Sequence, residues 1–278
     1  MSNTWGQDPY DSIQKVLAGV AKQWQQTAKH IATAVSGIQL PTETLVEICR
    51  QLPTMFPSNW PHPLPGIERL KEVLEEDGIP IVHIPREEIV RAIIAANDYE
   101  ARMDIIRARG DDIAQDCAAA LDPKYDEGLE LQSPLARRAI EAFRAGHFEA
   151  AQALAVSVCD TYLKQMFPPE PIGKNNRGRR IGYPEMATRL TVEKSEDASA
   201  TWAFNVGYAL APAVQFLADW WPEDEAEPPT RLSRHVSIHN ASTNQMTRLN
   251  SIVAIMLVTS MSVALNYPMR LMIDSTQD

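Results

Sequence analysis

The uncharged segment from Leu249 to Met269 constrains the fold more than any other part of the chain. Its centre, Ile252 to Val258, is apolar on nearly all sides, as expected for a helix in the middle of a bundle or in a membrane. The segment is long enough to span a bilayer, but it also contains several polar residues and a proline, namely Asn250, Ser251, Thr259, Ser260, Ser262, Asn266 and Pro268. These polar residues favour a core helix over the alternative, a membrane span.

Helical periodicity extends over most of the remaining chain, with breaks at proline and glycine. It predicts helices at 10–36, 42–52, 68–76, 86–96, 98–120, 135–145, 148–166, 184–191 and 198–220. Residues 79–84 are typical of one short extended segment, but no second strand is evident to pair with it. The sequence therefore predicts an all-α fold, a helical bundle with an N-terminal helical extension.

A proline-rich stretch suggests how the chain divides into domains. Prolines at positions 53, 57, 61, 63 and 65 exclude a helix and predict a linker. We therefore expect an N-terminal helical region with a proline-rich linker over residues 1–80 and a helical bundle over residues 81–278. In the N-terminal region, Trp5, Trp24, Phe56 and Trp60 are typical of a docking surface for a protein partner.

Composition limits the classes of function. The net charge of −10 disfavours a protein that coats nucleic acid nonspecifically, so any RNA contact must be local. The chain has three cysteines, an odd number, and they are widely spaced: Cys49, Cys117 and Cys159. This pattern indicates buried thiols in a reducing compartment rather than disulfides. The N-terminus lacks a secretory signal, so we expect a cytoplasmic protein, and no motif calls for a cofactor.

The motif with the clearest chemical meaning is Arg234-His235-Val236-Ser237-Ile238-His239. On a short helix, Arg234 and His239 would lie near one edge, with His235 and His239 one turn apart. Histidine can move protons near neutral pH, and a guanidinium group can bind two phosphate oxygens as negative charge develops. We expect this helix to start with Thr230 as N-cap and to end near Asn240, and Ser242-Thr243-Asn244-Gln245 to form the capping box of the following helix.

The motif resembles the signature of the HEPN superfamily, helical domains in which four to six residues separate an arginine from a following histidine, and in which the residue after the arginine is often Asn, His or Asp. Arg234, His235 and His239 fill these three positions. The resemblance implies a homodimer or pseudo-dimer that cuts RNA without metal, and a toxin or antiphage defence role. The motif and the segment from Phe143 to Ala151 are also similar to uncharacterised bacterial helical proteins, a similarity that supplies no activity.

Further residues are candidates for substrate binding. Lys174, Arg177, Arg179 and Arg180 form a basic, glycine-containing segment that would suit a phosphate backbone, or would simply be a solvated loop. Asn240 and Arg248 flank the motif, where they would orient phosphate, or serve only as a helix cap and a solvated cation.

Asp160 lies on an apolar helix, where a buried carboxylate needs a partner. HEPN domains often place an acidic residue near the motif arginine, so Arg234 is the expected partner of Asp160, and a surface-facing carboxylate is the alternative.

The leading hypothesis is RNA cleavage. His239 would act as general base on the ribose 2′-hydroxyl or as general acid for the leaving oxygen, Arg234 would stabilise the pentavalent phosphate, and His235 would orient the substrate or share the proton transfer. A zinc site at His235 and His239 fits less well, because the glutamate of His-Glu-x-x-His and a third ligand are missing. The rival from another class is a non-catalytic helical interaction or regulatory module.

Overall fold

The structure is a computed structural model that describes residues 56–126, 128–169, 179–191, 203–221, 223 and 227–267. Within these ranges the regular elements are helices and no β-strand is present, so the predicted all-α fold is confirmed. The α-helices are α1 (Ile67–Lys71), α2 (Glu87–Ala95), α3 (Tyr99–Ala108), α4 (Gly110–Ala120), α5 (Ser133–Arg144), α6 (Phe148–Met166), α7 (Tyr183–Arg189), α8 (Tyr208–Leu210), α9 (Ala213–Phe216), α10 (Arg234–His239) and α11 (Arg248–Leu265). The helices predicted at 10–36 and 42–52, together with Trp5, Trp24 and Cys49, lie outside the described residues.

Helix α11 is the centre of the bundle and packs mainly against α6, α4 and α5. Its length and hydropathy would suit a membrane span, but 83 % of it is buried inside the protein, as predicted for a core helix. Its hydroxyl groups are satisfied locally or by neighbours. Thr259 donates to the Ile255 carbonyl at 2.7 Å, and Ser262 contacts the hydroxyl of Tyr162 at 3.0 Å. The hydroxyl-bearing residues of this segment are therefore compatible with burial.

Part of the proline-rich stretch belongs to the same hydrophobic core as the bundle. Trp60 is only 2 % exposed, and its indole nitrogen donates to the Ile81 carbonyl at 3.0 Å. Asn59 donates to the same carbonyl and to that of Pro85. Trp60 is therefore a core residue and not an exposed docking residue. Pro57, Asn59 and Pro61 are buried as well, whereas His62 and Pro63 are exposed.

The extended segment predicted at 79–84 forms no strand. Ile79, Ile81 and Val82 are buried, and side chains rather than a neighbouring strand bind its carbonyl groups. Ser260 of α11, for example, donates to the Val82 carbonyl at 2.9 Å. Side-chain donors thus allow an irregular segment to be buried without a ladder of backbone hydrogen bonds.

Two long predicted helices are divided. The helix predicted at 98–120 breaks at Arg109, and Gly110 starts α4 directly beneath α11: a Cβ there would lie 2.6 Å from Ile252 Cδ1. In the helix predicted at 198–220, a π-helical turn at Ala203–Gly207 leads into α8, and Pro212, which has no backbone N–H, separates α8 from α9.

Two of the three thiols are described, and both are buried and unpaired with another cysteine. Burial raises the pKa of Cys117 to about 12 and also raises that of Cys159. The prediction of buried thiols is confirmed for these two residues, and their raised pKa values disfavour the reactive thiolate form.

Candidate active site

The motif forms the short helix α10, which ends at Asn240 as predicted. Its N-cap is Ser233, whose side chain accepts a hydrogen bond from the Val236 amide at 3.3 Å, so the prediction of Thr230 as the cap is wrong. The Ser242 capping box is wrong as well. Helix α11 begins after Thr247, whose hydroxyl accepts from the Asn250 amide at 3.1 Å.

Gln245 is not a capping residue because a buried polar network uses its side chain. Gln152 of α6 donates to Gln245 Oε1 at 2.8 Å and to Ser237 Oγ of α10 at 3.0 Å. Gln245 donates to the Arg231 carbonyl in turn, and Asn250 donates to the Gln245 carbonyl at 2.8 Å. The network connects α10 to α6 and α11 by hydrogen bonds, so the motif helix is fixed to the core.

Arg234 is held from two sides. Its Nε donates to Asp160 Oδ1 at 3.1 Å, and its guanidinium carbon lies 4.1 Å from the centre of the Tyr183 ring. The side chains of Arg234 and Asp160 are 11 % and 10 % exposed. Of the two alternatives for Asp160, the structure therefore shows the partnered carboxylate. A guanidinium group with an anion at one edge and an aromatic ring at its face has little rotational freedom.

Asp160 is the centre of this anchor. It also accepts hydrogen bonds from Lys164 at 2.6 Å and from the Tyr183 hydroxyl at 2.8 Å. Burial alone would raise the pKa of Asp160, but the hydrogen bonds from Lys164 and Tyr183 and the charge of Arg234 outweigh it and lower the pKa below its usual value. The carboxylate is therefore ionised at neutral pH.

Arg234 and His239 converge. The distance from Arg234 Nη1 to His239 Nε2 is 3.3 Å. Because guanidinium nitrogens only donate, Nε2 must be the accepting nitrogen in this contact. The His239 side chain is exposed, so its ring lies where a ligand can reach it. The pair thus offers a proton acceptor and a fixed positive charge side by side.

His235 has a different environment. It is 7 % exposed, packs against Trp221 at 4.3 Å between ring centres, and lies 5.2 Å from the His239 ring. Burial, followed by the charge of His239, lowers the pKa of His235, and Asp219 partly opposes this shift. His235 is therefore a neutral packing residue at physiological pH, better suited to positioning His239 than to carrying a proton.

The other predicted site residues are only partly brought together. Arg179 makes an ion pair with Glu185 of α7, in which Arg179 Nη1 lies 2.7 Å from Glu185 Oε2. Arg180, the next residue, is exposed. Asn240 is the C-cap of α10. Lys174 and Arg177 lie outside the described residues.

Arg248 belongs to another surface. It binds Asp111 at 2.9 Å and packs near Phe148, at the beginning of α6. Arg234 binds Asp160, about 18 Å further along the same helix, given the rise of an α-helix. The structure therefore does not place Arg248 with the motif.

Three residues of the site were not identified from the sequence: Lys164, Tyr183 and Trp221. Lys164 follows Asp160 by one helical turn, a spacing that allows an ion pair, so the sequence did contain a signal for it. Tyr183 and Trp221 reach the motif only through the tertiary fold, and no local pattern indicates either of them.

Within the described residues, no group of three His, Cys, Asp or Glu side chains is arranged to hold a metal ion. Comparisons with known protein families, with curated proteins and with solved structures found no match to this chain. The chain is thus defined by its own features, as an all-α protein in which an Arg–His contact is formed between the first and last residues of a short helix fixed to the core.

Proposed function

We propose that this protein is a metal-independent endoribonuclease of the HEPN type, in which Arg234 and His239 cut RNA. The contact between Arg234 Nη1 and His239 Nε2 at 3.3 Å, on an exposed histidine, carries the proposal. Metal-free cleavage of RNA needs a base for the 2′-hydroxyl and a cation for the phosphate, and these two groups fill the two roles.

The reaction starts at His239. Its Nε2 exchanges the hydrogen bond from Arg234 for one from the ribose 2′-hydroxyl and takes the proton of that hydroxyl. The 2′-oxygen attacks phosphorus, Arg234 stabilises the charge on the pentavalent phosphate, and the bond to the 5′-oxygen breaks. The products are a 2′,3′-cyclic phosphate and a 5′-hydroxyl, which requires one proton for the leaving oxygen.

A second copy of the chain supplies that proton. His235 is buried and has a lowered pKa, so it is a poor acid at neutral pH. His239 already acts as the base in the same copy. In a homodimer that brings two motifs together, the protonated imidazole of His239 in the second copy acts as the general acid.

The wider role follows from the HEPN resemblance alone: a cytoplasmic toxin or antiphage effector that stops growth by damaging RNA. Expression of the wild-type chain would then slow cell growth and fragment cellular RNA, whereas the Arg234→Ala/His239→Ala double variant would do neither. Equal growth and intact RNA in both cultures would favour the interaction module, with a partner held through the N-terminal region.

The direct test uses purified protein, single-stranded RNA and EDTA. We expect the wild type to cut and His239→Ala to lose at least about 100-fold in rate, the lower range for a general acid–base residue. His147→Ala is the matched control, because His147 is an exposed histidine at the start of α6, and it should cut as the wild type does. The proposal would be refuted if His239→Ala cut RNA at the wild-type rate, or if EDTA abolished cleavage by the wild type.

A further inference from the structure

An exposed tryptophan stands beside the Arg–His pair. Trp221 is 53 % exposed, although its ring packs against His235, which in turn packs against His239. The interplanar angle of 69° between Trp221 and His235 is an edge contact, so His235 does not cover the indole by stacking on it. Ile238, next to His239 in the motif helix, is also 40 % exposed. Exposed apolar side chains thus lie near the Arg–His pair.

The partners of His239 lead to groups of opposite charge. Arg234 contacts His239 directly and shares the carboxylate of Asp160 with Lys164. His235, which packs against the His239 ring, is influenced by the carboxylates of Asp219 and Glu223, which are exposed and lie within two residues of Trp221 in the chain. Phosphate is attracted to the arginine and repelled by the carboxylates, so a nucleotide bound at His239 would orient its phosphate toward Arg234 and its uncharged base toward Trp221.

We propose that Trp221 is a stacking platform for the nucleobase next to the scissile phosphate, which makes unpaired RNA the substrate. The inference deepens the nuclease proposal and rests on it for the position of the scissile bond. Stacking on an aromatic ring requires a base that is free of its own neighbours, as in single strands and loops. Because every base has a π-face, Trp221 selects unpaired RNA without selecting a sequence.

The test measures binding rather than cleavage. The probe is a fluorescein-labelled single-stranded RNA of mixed sequence with 2′-O-methyl groups throughout, which cannot be cut because the nucleophile is blocked. Fluorescence anisotropy with the full-length protein gives the dissociation constant. For Trp221→Ala we expect an approximately tenfold weaker affinity, equal to about 1.4 kcal/mol and within the range for one stacked base.

Two variants and a second probe isolate stacking. Trp221→Phe keeps an aromatic face and should stay within about threefold of the wild type. Leu131→Ala, which truncates a residue that is 79 % exposed between α4 and α5, should bind as the wild type does. An oligonucleotide of the same length without bases should bind equally to the wild type and to Trp221→Ala.

Three results would overturn the inference: no binding of the base-bearing RNA by the wild type, equal binding of it by Trp221→Ala, or equal losses with both probes. Because the probe cannot be cut, the two proposals fail separately. Binding that depends on Trp221 in a protein that cuts no RNA would refute the nuclease and keep the platform. Cleavage and binding that are unchanged in Trp221→Ala would refute the platform and keep the nuclease.

Discussion

Replacement of Asp160 by asparagine should destabilise the protein strongly, because it leaves the Arg234 guanidinium without its counter-charge. The side chain of Arg234 is 11 % exposed, so the lost ion pair cannot be replaced fully by water. Removing one partner of a buried pair costs about 3–5 kcal/mol. The lower end applies here, since Tyr183 still covers the cation, and Lys164, 56 % exposed, can turn into solvent. We therefore expect a loss of about 3 kcal/mol.

Asp111→Asn is the matched control for this prediction. It makes the same chemical change in the pair with Arg248, but Asp111 is 93 % exposed. An exposed ion pair contributes at most about 1 kcal/mol, and often nothing measurable. Urea unfolding at pH 7, followed by far-ultraviolet circular dichroism, measures both losses. Equal losses in the two variants would refute the view that Asp160 anchors Arg234 in a partly desolvated site.

The stability difference between the wild type and Asp160→Asn should also depend on pH. The pKa of Asp160 is lowered in the folded state, so its contribution to stability is complete above its unfolded pKa of about 3.9 and is lost as the pH falls through the lower folded value. The difference between the wild type and Asp160→Asn should therefore stay constant from pH 7 to about pH 4 and shrink below that. A difference that shrinks already between pH 7 and pH 5 would contradict this reasoning.

Four other variants test the fold and the environment of His235, each by urea unfolding. Gly78→Ala should cost about 2–3 kcal/mol, because φ is +67° and its Cβ would lie 2.8 Å from Gln215 Cβ, whereas Gly146→Ala, with φ +83° and open space, should cost only about 1 kcal/mol; equal costs would contradict this. Ile255→Ala, at a fully buried position of α11, should cost about 3 kcal/mol, and a loss below about 1 kcal/mol would argue against its place in the core. Burial lowers the pKa of His235, so the wild type should lose stability as the pH falls below about 6.5, and His235→Gln should lose less between pH 7 and pH 5; parallel losses would exclude this cause.

The sequence predicted the elements whose signals are local. The apolar pattern of α11 and the spacing of the motif depend on the residues of one segment, and the structure contains both helices. The sequence also indicated Arg234 as the partner of Asp160, because a carboxylate on an apolar helix needs a nearby cation.

What the sequence did not predict depends on contacts between distant segments. Trp60 has the pattern of an exposed docking residue, but the carbonyl that binds its indole belongs to Ile81. Gln245 fits a capping box, yet Gln152 from α6 uses its side chain. Tyr183 stacks on Arg234, but the two residues are so far apart in the sequence that no helical periodicity relates them. In each case a tertiary partner outweighed the local preference.

The chemical nature of the RNA ends tests the central claim most directly. Wild-type protein is incubated with a defined single-stranded RNA in EDTA, and the products are analysed by mass spectrometry. Transfer of the 2′-hydroxyl proton to His239 predicts products with 2′,3′-cyclic phosphate and 5′-hydroxyl ends. It also predicts no cleavage after a nucleotide that is replaced by its 2′-deoxy form, because the attacking hydroxyl is missing there. Products with 5′-phosphate ends, or cutting at the 2′-deoxy position, would show that water rather than the ribose attacks the phosphate and would contradict the account.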